Sequence, residues 1–406
     1  MRGIAYADVS VETFATAAVL PPEVQFLLDQ RLPRDQAGSL FAGRAWWSVV
    51  LSDAMPAGSA AVFVVCKAGD HVLALVPLLR RNGIAALESL TTPYTCRYTP
   101  LFATGLDRLT RIATMAAFGR FCRIRGVTRL DALPAEWDEL PDLLAGVRQA
   151  GLRPLRFNHF GNWHEDVAGM DWTSYLARRS GALRETIRRR LRQADKLPDA
   201  RFAVLSTPAD MAIAADAFES VYARSWKGPE PYPRFNVAFM HATAALGLLR
   251  FGVWSIGATP VAVQFWILEA GHATVLKLAH DEAFKAHSPG TVLTALMLRH
   301  LLDEEHVDQI DFGRGDDDYK QGWATQRRQR IGLLLVNPWR LSGAVELMRH
   351  ISGRLRAAMR KAPAGRGSSA APGPPRLAMD IDHDPKIERI RRESSRGDQT
   401  GPASTQ

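Results

Sequence analysis

Residues 275–325 have the sequence VLKLAHDEAFKAHSPGTVLTALMLRHLLDEEHVDQIDFGRGDDDYKQGWAT, and this is the part of the chain that is most informative about its fold. Its first residues favour a strand, and a loop with Ser288-Pro289-Gly290 then leads to apolar residues at helical spacing that begin near Thr291. A short second strand, QIDFG, follows the helix. Strands that alternate with helices predict an α/β domain.

The loop before this helix is a candidate phosphate-binding site. Gly290 allows a ligand to approach the backbone closely, and the first N–H groups of a helix have no partner inside it. Such a helix end binds anions, although one exposed dipole interaction contributes only about 0.3–1 kcal/mol. Lys285 supplies a nearby cation. The alternative is an ordinary helix start with a Pro-Gly turn, and the spacing leaves both open.

The stretch DFGRGDDDYK (311–320) is the most specific motif in the chain. Gly313 and Gly315 permit a tight backbone turn after the strand that ends at Asp311. A DFG tripeptide also occurs in protein kinases, but no HRD loop or VAIK strand accompanies it here, so a kinase is excluded. The aspartates 316–318 lack the spacing of a calcium-binding EF-hand, and no metal site is predicted.

Similar elements occur twice along the chain. In the first half, AAVFVVC (60–66) and VLALVPLLR (72–80) flank a short turn with Gly-Asp and predict a hairpin. In the second half, residues 249–281 predict three strands with turns at Gly257-Ala258 and Gly271-His272. Helices and further strands follow in both halves. The shared order of elements predicts two α/β folds in tandem.

The composition limits which classes of protein the chain can belong to. The 406 residues are 47% hydrophobic and 23% charged, which is ordinary for a globular protein. Cys66, Cys96 and Cys122 form no CxxC pair, so neither a disulfide framework nor a zinc site is predicted. No run approaches the roughly 18–20 apolar residues of a membrane span, and we expect a cytoplasmic protein. The net charge of +9 favours anionic ligands.

The organisation along the chain has four predicted parts. We expect an N-terminal domain over residues 1–168, a second domain over 169–342, a basic amphipathic helix over 343–362 and a disordered tail over 363–406. The tail begins with the low-complexity sequence GRGSSAAPGPP and ends polar and charged. Such a segment cannot bury enough apolar area to offset its ordering entropy.

A strongly basic segment, RRSGALRETIRRRLRQADK (178–196), opens the second domain. Arg184, Arg188, Arg189 and Arg192 recur at helical spacing along one side. This side is either a solvated helix face or a contact for an anionic small molecule. Nucleic acid is disfavoured because the segment has no aromatic residues for base stacking.

Two segments, KLAHDEAFKAHSPGTVL and IDFGRGDDDYKQGWA, resemble the acyltransferase domain of bacterial CelD-like or BioF2-like proteins. That family is linked to cellulose and other exopolysaccharide synthesis and is a branch of the Gcn5-related N-acetyltransferase (GNAT) superfamily. The basic segment and YARSWKG (222–228) also fit its pattern. The resemblance covers Trp172 to about Pro338 and reaches the N-terminal half only loosely. It implies two tandem GNAT-like folds, each with a mixed sheet.

The resemblance implies acetyl-CoA or another acyl-CoA as cosubstrate, without a metal. Lys285 would add positive charge beside the cosubstrate, and N–H groups at Leu278 and Ala279 would stabilise an oxyanion. The superfamily binds the CoA pyrophosphate at the loop and first turn of the helix. The residues at those positions are His287, Ser288, Pro289, Gly290, Thr291 and Val292.

The resemblance also places catalytic side chains just after the second strand, at Tyr319 and Lys320. Lys320 is similar in position to a functional lysine of the peptidoglycan bridge-forming aminoacyltransferases. A salt bridge between Lys320 and the aspartates is the structural alternative. His280 and Asp316 are candidates by position to accept a proton, as is a chain of waters, and a purely structural role is the alternative for His280.

We therefore expect transfer of an acyl group from acyl-CoA to an amine or hydroxyl, on a sugar-type intermediate of exopolysaccharide synthesis. A second hypothesis is an aminoacyl-tRNA-dependent transferase of the peptidoglycan bridge-forming type. It is disfavoured because no consecutive heptads predict the coiled-coil arm that such enzymes often carry. A third is a non-catalytic partner of a membrane-bound polysaccharide synthase, in which the basic helix 344–361 contacts the complex or the lipid surface.

Overall fold

The structure is a computed structural model that describes residues 9–30 and 39–361. The chain divides into two compact units. Unit 1 contains the described residues up to Gly161 together with those from Arg328 onward, and unit 2 contains Asn162–Arg327. The predicted disordered tail, residues 363–406, lies outside the described residues.

The first half of the chain alternates strands and helices. In chain order its elements are β1 (Val9–Thr16), α1 (Pro22–Gln30), α2 (Arg44–Asp53), β2 (Ser59–Ala68), β3 (His71–Arg81), β4 (Leu87–Ser89), β5 (Leu101–Phe102), α3 (Arg108–Arg123), β6 (Val127–Pro134), α4 (Leu140–Gln149) and β7 (Arg153–Asp166).

The second half continues with two further helices before its strands begin. Its elements are α5 (Trp172–Ala177), α6 (Gly181–Ala194), β8 (Ala200–Leu205), α7 (Met211–Ala223), α8 (Phe235–Ala245), β9 (Leu249–Ile256), β10 (Thr259–Glu269), β11 (His272–His280), α9 (Pro289–Asp303), β12 (Gln309–Asp311), α10 (Lys320–Trp323), β13 (Gln326–Val336) and α11 (Leu341–Lys361).

Unit 1 has a mixed sheet with the strand order β1-β2-β3-β4-β6-β13, and β5 pairs with β3. β2 and β3 form the predicted antiparallel hairpin, with Val64 opposite Val76. Both strands carry runs of buried residues, because both faces of the hairpin are covered. β4 and β6 run parallel and are connected through α3.

Unit 2 has a mixed sheet with the strand order β7-β12-β11-β10-β9-β8. β8 to β11 are antiparallel neighbours. The first turn falls at Gly257-Ala258 as predicted, and the second at Ala270-Gly271, one residue before the predicted Gly271-His272. β11 and β12 run parallel and are connected through α9. Gly252 of β9 lets α9 pack closely on the sheet, since a Cβ there would lie 2.3 Å from the sulfur of Met297.

The predicted mixed α/β fold, repeated along the chain, is confirmed: each unit has a parallel strand pair connected by a helix beside an antiparallel group. The last strand follows a different path from the one expected. β13 pairs with β6, so residues from Arg328 onward cluster in unit 1, whereas the sequence placed everything up to residue 342 in the second domain. The apolar sequence RIGLLLV predicts a strand but not its partner.

The C-terminal helix is longer than expected. α11 spans Leu341–Lys361, so it begins two residues before the predicted segment 343–362 and three residues before the range 344–361 of the third hypothesis. Within residues 9–30 and 39–361, the structure contains no helix with the length and apolar character needed to cross a membrane.

Candidate active site

An opening between β11 and β12 is the central feature of unit 2. The two strands pair from His272 opposite Gln309 to Thr274 opposite Asp311. β12 ends at Asp311, but β11 continues to His280. The last six residues of β11 therefore extend beyond their pairing with β12. From residue 275 onward, this side of β11 is not paired with β12.

The hydrogen-bond alternation of β10 and β11 decides which amides point into this opening. The Asp281 N–H donates to the Val261 carbonyl at 2.9 Å, and Ala279 stands opposite Val263 two residues earlier in the same register. Antiparallel pairs alternate, so Ala279 bonds towards β10 while the Leu278 N–H points away from β10, into the opening. Of the two predicted oxyanion donors, Leu278 therefore fits better.

The N-terminus of α9 lies at the same edge, because α9 starts after the C-terminal end of β11 and returns to β12. Ser288 has a left-handed conformation, with φ 51° and ψ 53°, and its side chain makes no capping hydrogen bond. Its carbonyl accepts from the Thr291 and Val292 N–H groups at 3.0 and 3.1 Å. Pro289 has no N–H, and the Gly290 N–H makes no hydrogen bond within the described ranges.

A buried polar chain anchors this first turn to the sheet. The Thr294 hydroxyl donates to the Gly290 carbonyl at 2.8 Å and accepts from the Gln264 amide at 2.7 Å. The Gln264 side-chain oxygen in turn accepts from the Trp266 indole at 2.8 Å. All three side chains are buried. The position of the α9 N-terminus is thus fixed relative to β10.

Two cations lie beside the loop that precedes α9. The Arg190 guanidinium of α6 donates to the Ala286 carbonyl at 3.2 Å, directly before His287. Lys285 is 72% exposed and contacts Glu282 at 3.3 Å. His287 is partly exposed, and its ring lies against Phe284 with 6.4 Å between centroids. The predicted loop residues thus form one cluster with a basic surrounding, and Arg190 joins them.

His280 ends β11 in a partly enclosed position. Its side chain is 13% exposed, and its Nε2 is 3.4 Å from a Glu282 carboxylate oxygen. Its Nδ1 is buried and has no hydrogen-bond partner in the described part of the chain. Burial lowers the pKa of His280, and the charges of Lys285 and Lys227 lower it further, against the opposing effect of Glu282. The imidazole is therefore neutral near pH 7.

A segment that the sequence did not single out for the site, the 224–230 loop after α7, covers the end of β11. The Trp226 ring lies 4.3 Å from the His280 ring, centroid to centroid. The Arg224 guanidinium binds the Asp281 carboxylate at 2.6 Å. Trp226 belongs to the YARSWKG segment noted for its resemblance, but nothing in its spacing indicates contact with His280.

The turn after β12 is held by buried polar groups. The Asp311 carboxylate accepts from the Asn162 amide at 2.6 Å and from the Gly313 N–H at 2.7 Å. Gly313 and Gly315 have φ of 65° and 105°, which explains why glycine is needed at both positions. Lys320 is 2% exposed, and its ammonium binds the Asp317 carboxylate at 2.9 Å and the Arg314 carbonyl at 2.7 Å. Lys320 thus holds this turn.

The two remaining predicted residues of this turn differ in their proton chemistry. The Asp316 carboxylate accepts from Arg327 at 2.8 Å and from the Trp163 indole at 2.7 Å. The hydrogen bond from Arg327 is the main cause that lowers the pKa of Asp316, which makes it a weak base. Burial raises the pKa of Tyr319, so its hydroxyl stays protonated at neutral pH.

A buried ion pair supports the wall of the site. Glu165 at the end of β7 is fully buried and accepts from Arg179 at 2.5 Å and from the Thr325 N–H and hydroxyl, both at 2.6 Å. Arg179 and Tyr175 also donate to the Trp323 carbonyl. Burial alone would raise the pKa of Glu165, but the bonds from Thr325 and Arg179 outweigh it and lower the pKa.

The topology brings most of the predicted residues to one edge of the unit 2 sheet. Parallel strands β11 and β12 end at the same edge, where α9 also begins. This edge holds His280, the 285–292 segment and the turn that ends at Lys320. The sequence missed Arg190, Trp226 and Asn162, because each is distant along the chain from the group it contacts.

Comparison with known proteins agrees with this geometry. A family described as the acetyltransferase (GNAT) domain matches residues 181–321, which include β11, α9 and β12. No curated protein matches the chain in sequence. Residues 181–321 match a GNAT acetyltransferase domain, and the protein is an acyltransferase.

Several solved structures are similar to this chain. FemX has 10% identity and a TM-score of 0.51, and the match covers 80% of this chain and 98% of FemX, which shows a shared fold. A tandem GNAT protein from the clavulanic acid biosynthesis pathway has 16% identity, a TM-score of 0.43, and coverage of 80% and 98%. The C-terminal domain of a putative lysylphosphatidylglycerol synthetase from Agrobacterium fabrum has 14% identity, a TM-score of 0.45, and coverage of 68% and 84%.

Proposed function

We propose that unit 2 transfers an acyl group from acyl-CoA to an amine or hydroxyl of a small acceptor. One observation carries this proposal: the opening beside β11 and the uncapped N-terminus of α9 lie at the same edge of the sheet. An extended thioester cosubstrate with a diphosphate needs both features, a strand edge for its arm and free N–H donors for its phosphates.

The residues at this edge fit acyl-CoA. The Gly290 N–H and the first turn of α9 would hold the diphosphate, with Arg190 and Lys285 as neighbouring cations. The Ser288 side chain leaves the helix end open for such an anion. The Gln264–Thr294 chain keeps this turn in place without a bound ligand. The Gly290 N–H and the two neighbouring cations together supply more than one dipole interaction of about 0.3–1 kcal/mol.

Bound acyl-CoA supplies an activated acyl group. The protein must align this group with the acceptor, stabilise the negative charge that develops on the carbonyl oxygen, and accept the proton of the acceptor. Alignment alone can contribute about 7–11 kcal/mol. The Leu278 N–H would donate to the negatively charged oxygen that develops, and one such donor is typically worth about 2.7–4 kcal/mol. His280, neutral and with a free Nδ1, would accept the proton of the acceptor amine or hydroxyl.

The turn after β12 would serve the leaving group. Burial keeps Tyr319 protonated, so its hydroxyl is a candidate to donate a hydrogen bond to the departing thiolate. Asp316 is bound by Arg327 and Trp163 and is a poor base. Lys320 is a positioning residue in this proposal, because its ammonium is occupied by Asp317 and the Arg314 carbonyl.

We infer a sugar-type acceptor of exopolysaccharide synthesis from the resemblance of the 277–325 region to CelD-like domains. Trp226 is partly buried, with its ring beside His280 and the Lys227 ammonium 5.3 Å from the ring centroid, and an aromatic side chain next to the proposed base suits contact with a sugar ring. A screen of amino sugars and nucleotide sugars against acetyl-CoA tests this class. Transfer to simple amines or peptides alone would assign a different acceptor.

Calorimetric titration of acetyl-CoA into the protein tests the donor. We expect micromolar binding, and loss of measurable binding in Gly290→Leu, because the new side chain would occupy the helix end. Gly181→Leu is the matched control: it also starts a helix, α6, where the Ser180 side chain caps the N-terminus and a Cβ would meet only Arg184 at 3.9 Å.

Two outcomes would contradict this placement. Unchanged affinity in Gly290→Leu would remove the diphosphate from α9. No binding of acetyl-CoA at millimolar concentration would favour an aminoacyl-tRNA donor. Nucleic acid that co-purifies with the protein, detected by the ratio of absorbance at 260 and 280 nm, would support that donor. The exposed arginines Arg188 and Arg189 of α6 would then be the first RNA contacts to test.

A further inference from the structure

Helix α11 exposes an apolar stripe to solvent. Leu341, Met348 and Ile351 are 82%, 62% and 50% exposed. These positions are seven and three residues apart, so they lie on one face of the helix. Exposed apolar side chains in a continuous row mark a binding surface.

The stripe continues onto neighbouring residues of unit 1. Trp339, just before α11, is 85% exposed, and Ile124, at the end of α3, is 69% exposed. The Asn337 N–H donates to the Gly126 carbonyl at 2.7 Å and its amide donates to the Arg123 carbonyl at 3.0 Å, which brings the two segments together. We call Ile124, Trp339, Leu341, Met348 and Ile351 the α11 patch.

The charge around the α11 patch is strongly positive. Residues 340–361 contain six basic residues and one acidic residue, Glu346. Arg349 is 75% exposed and stands one position after Met348. Arg340, directly before the helix, is exposed as well. An apolar face with a basic flank and a nearby tryptophan is the pattern of a helix that lies in a membrane interface.

We propose that the α11 patch docks on the surface of a membrane that contains anionic lipids, with α11 parallel to the bilayer plane. Trp339 and the apolar stripe would enter the boundary between headgroups and acyl chains, and the arginines would contact lipid phosphates. A second copy of the chain is a poorer occupant, because symmetric contact through the patch would bring two basic flanks together. Nucleic acid offers no apolar layer for Met348 and Leu341.

Co-sedimentation with vesicles tests this inference on the full chain. We expect the protein to sediment with phosphatidylcholine vesicles that contain phosphatidylglycerol, and about tenfold less with phosphatidylcholine alone. High salt should weaken the binding, because it screens the arginines. Met348→Asp should reduce vesicle affinity by about tenfold or more, since it places a carboxylate in the apolar layer.

Ile213→Asp is the matched control, because Ile213 is 64% exposed on α7 of unit 2 and lies outside the patch. It should sediment like the unchanged protein. Equal sedimentation with neutral and anionic vesicles, no sedimentation with either, or undiminished binding of Met348→Asp would each overturn the inference. A dimer in light scattering that Met348→Asp converts to a monomer would also overturn it and assign the patch to self-association.

Discussion

His280 lies between Trp226 and Glu282 at the end of β11, and its Nδ1 is buried without a partner among the described residues. A structural histidine normally satisfies both ring nitrogens, because an unpaired buried nitrogen costs about 1–3 kcal/mol. That cost is tolerated where a substrate supplies the missing partner. The environment therefore favours a proton acceptor over a packing residue at this position.

The pH dependence of transfer follows from this environment. Only neutral His280 can accept a proton, so kcat/KM should fall as the pH drops through its pKa. Because burial lowers that pKa, the fall should begin below the ordinary histidine value of about 6.5. His280→Gln should reduce kcat by about 10²–10⁴ and abolish the acidic limb of the pH profile.

His241→Gln, on the exposed side of α8, is the control, and it should keep the kcat and the acidic limb of the unchanged protein. An unchanged acidic limb in His280→Gln would assign the base elsewhere.

The buried Glu165–Arg179 ion pair contributes to the stability of unit 2. Arg179→Met leaves the buried Glu165 carboxylate with only the half-exposed Arg178 as a cation, 3.2 Å away, and we expect the free energy of unfolding to fall by about 3 kcal/mol. Urea denaturation measures this change. Arg192→Met breaks a solvent-exposed pair with Glu185 and should cost less than about 1 kcal/mol. Similar losses in both variants would contradict the argument from burial.

The same pair predicts an acid dependence. The folded-state pKa of Glu165 is lowered, so its stabilisation is present above the ordinary value of about 4.3 and is lost as the pH falls through the folded-state pKa. The difference in stability between the unchanged protein and Arg179→Met should therefore shrink as the pH falls towards the lowered folded-state pKa of Glu165, and reach its full value once Glu165 is ionised in both folded proteins.

At the scale of elements, the binding role of α9 depends on its attachment to β10. Thr294→Val keeps the shape of the side chain but removes the bonds to Gln264 and to the Gly290 carbonyl. We expect a stability loss of about 1–3 kcal/mol and about tenfold weaker acetyl-CoA binding, because the first turn of α9 loses its fixed position. Chemical denaturation and calorimetry measure the two effects.

Thr243→Val provides the control for this variant. Thr243 is equally buried in α8, and its hydroxyl bonds to the Phe239 carbonyl four residues earlier, as Thr294 does to Gly290. It should lower stability without changing acetyl-CoA affinity. Equal loss of affinity in both variants would show that Thr294 acts through general stability alone.

At the scale of the whole molecule, the two units share a strand-helix-strand plan but differ where the helix begins. In unit 1, the Asp107 carboxylate caps α3 by accepting from the Thr110 N–H at 2.7 Å. A carboxylate at this position would repel a phosphate and already uses the donors that would bind it. In unit 2, α9 has no side-chain cap. We therefore expect acyl-CoA at unit 2 only.

Local patterns were sufficient to predict much of this fold. The β2–β3 hairpin and the β9–β11 group follow from apolar runs with glycine turns between them, and the α9 start follows from Ser288-Pro289-Gly290. The partner of β13 could not be predicted, since a uniformly apolar strand fits either sheet. Asn162 and Asp311 are 149 residues apart, and no periodicity in the sequence indicates that they meet.

Hydrogen–deuterium exchange with and without acetyl-CoA tests whether the ligand binds along β11 and at the start of α9, because it reports which backbone amides the ligand covers. We predict slower exchange in the 276–292 segment, which holds the free end of β11 and the first turn of α9, and no change at the start of α3 near Asp107. Protection at α3, or protection that bypasses 276–292, would contradict the account.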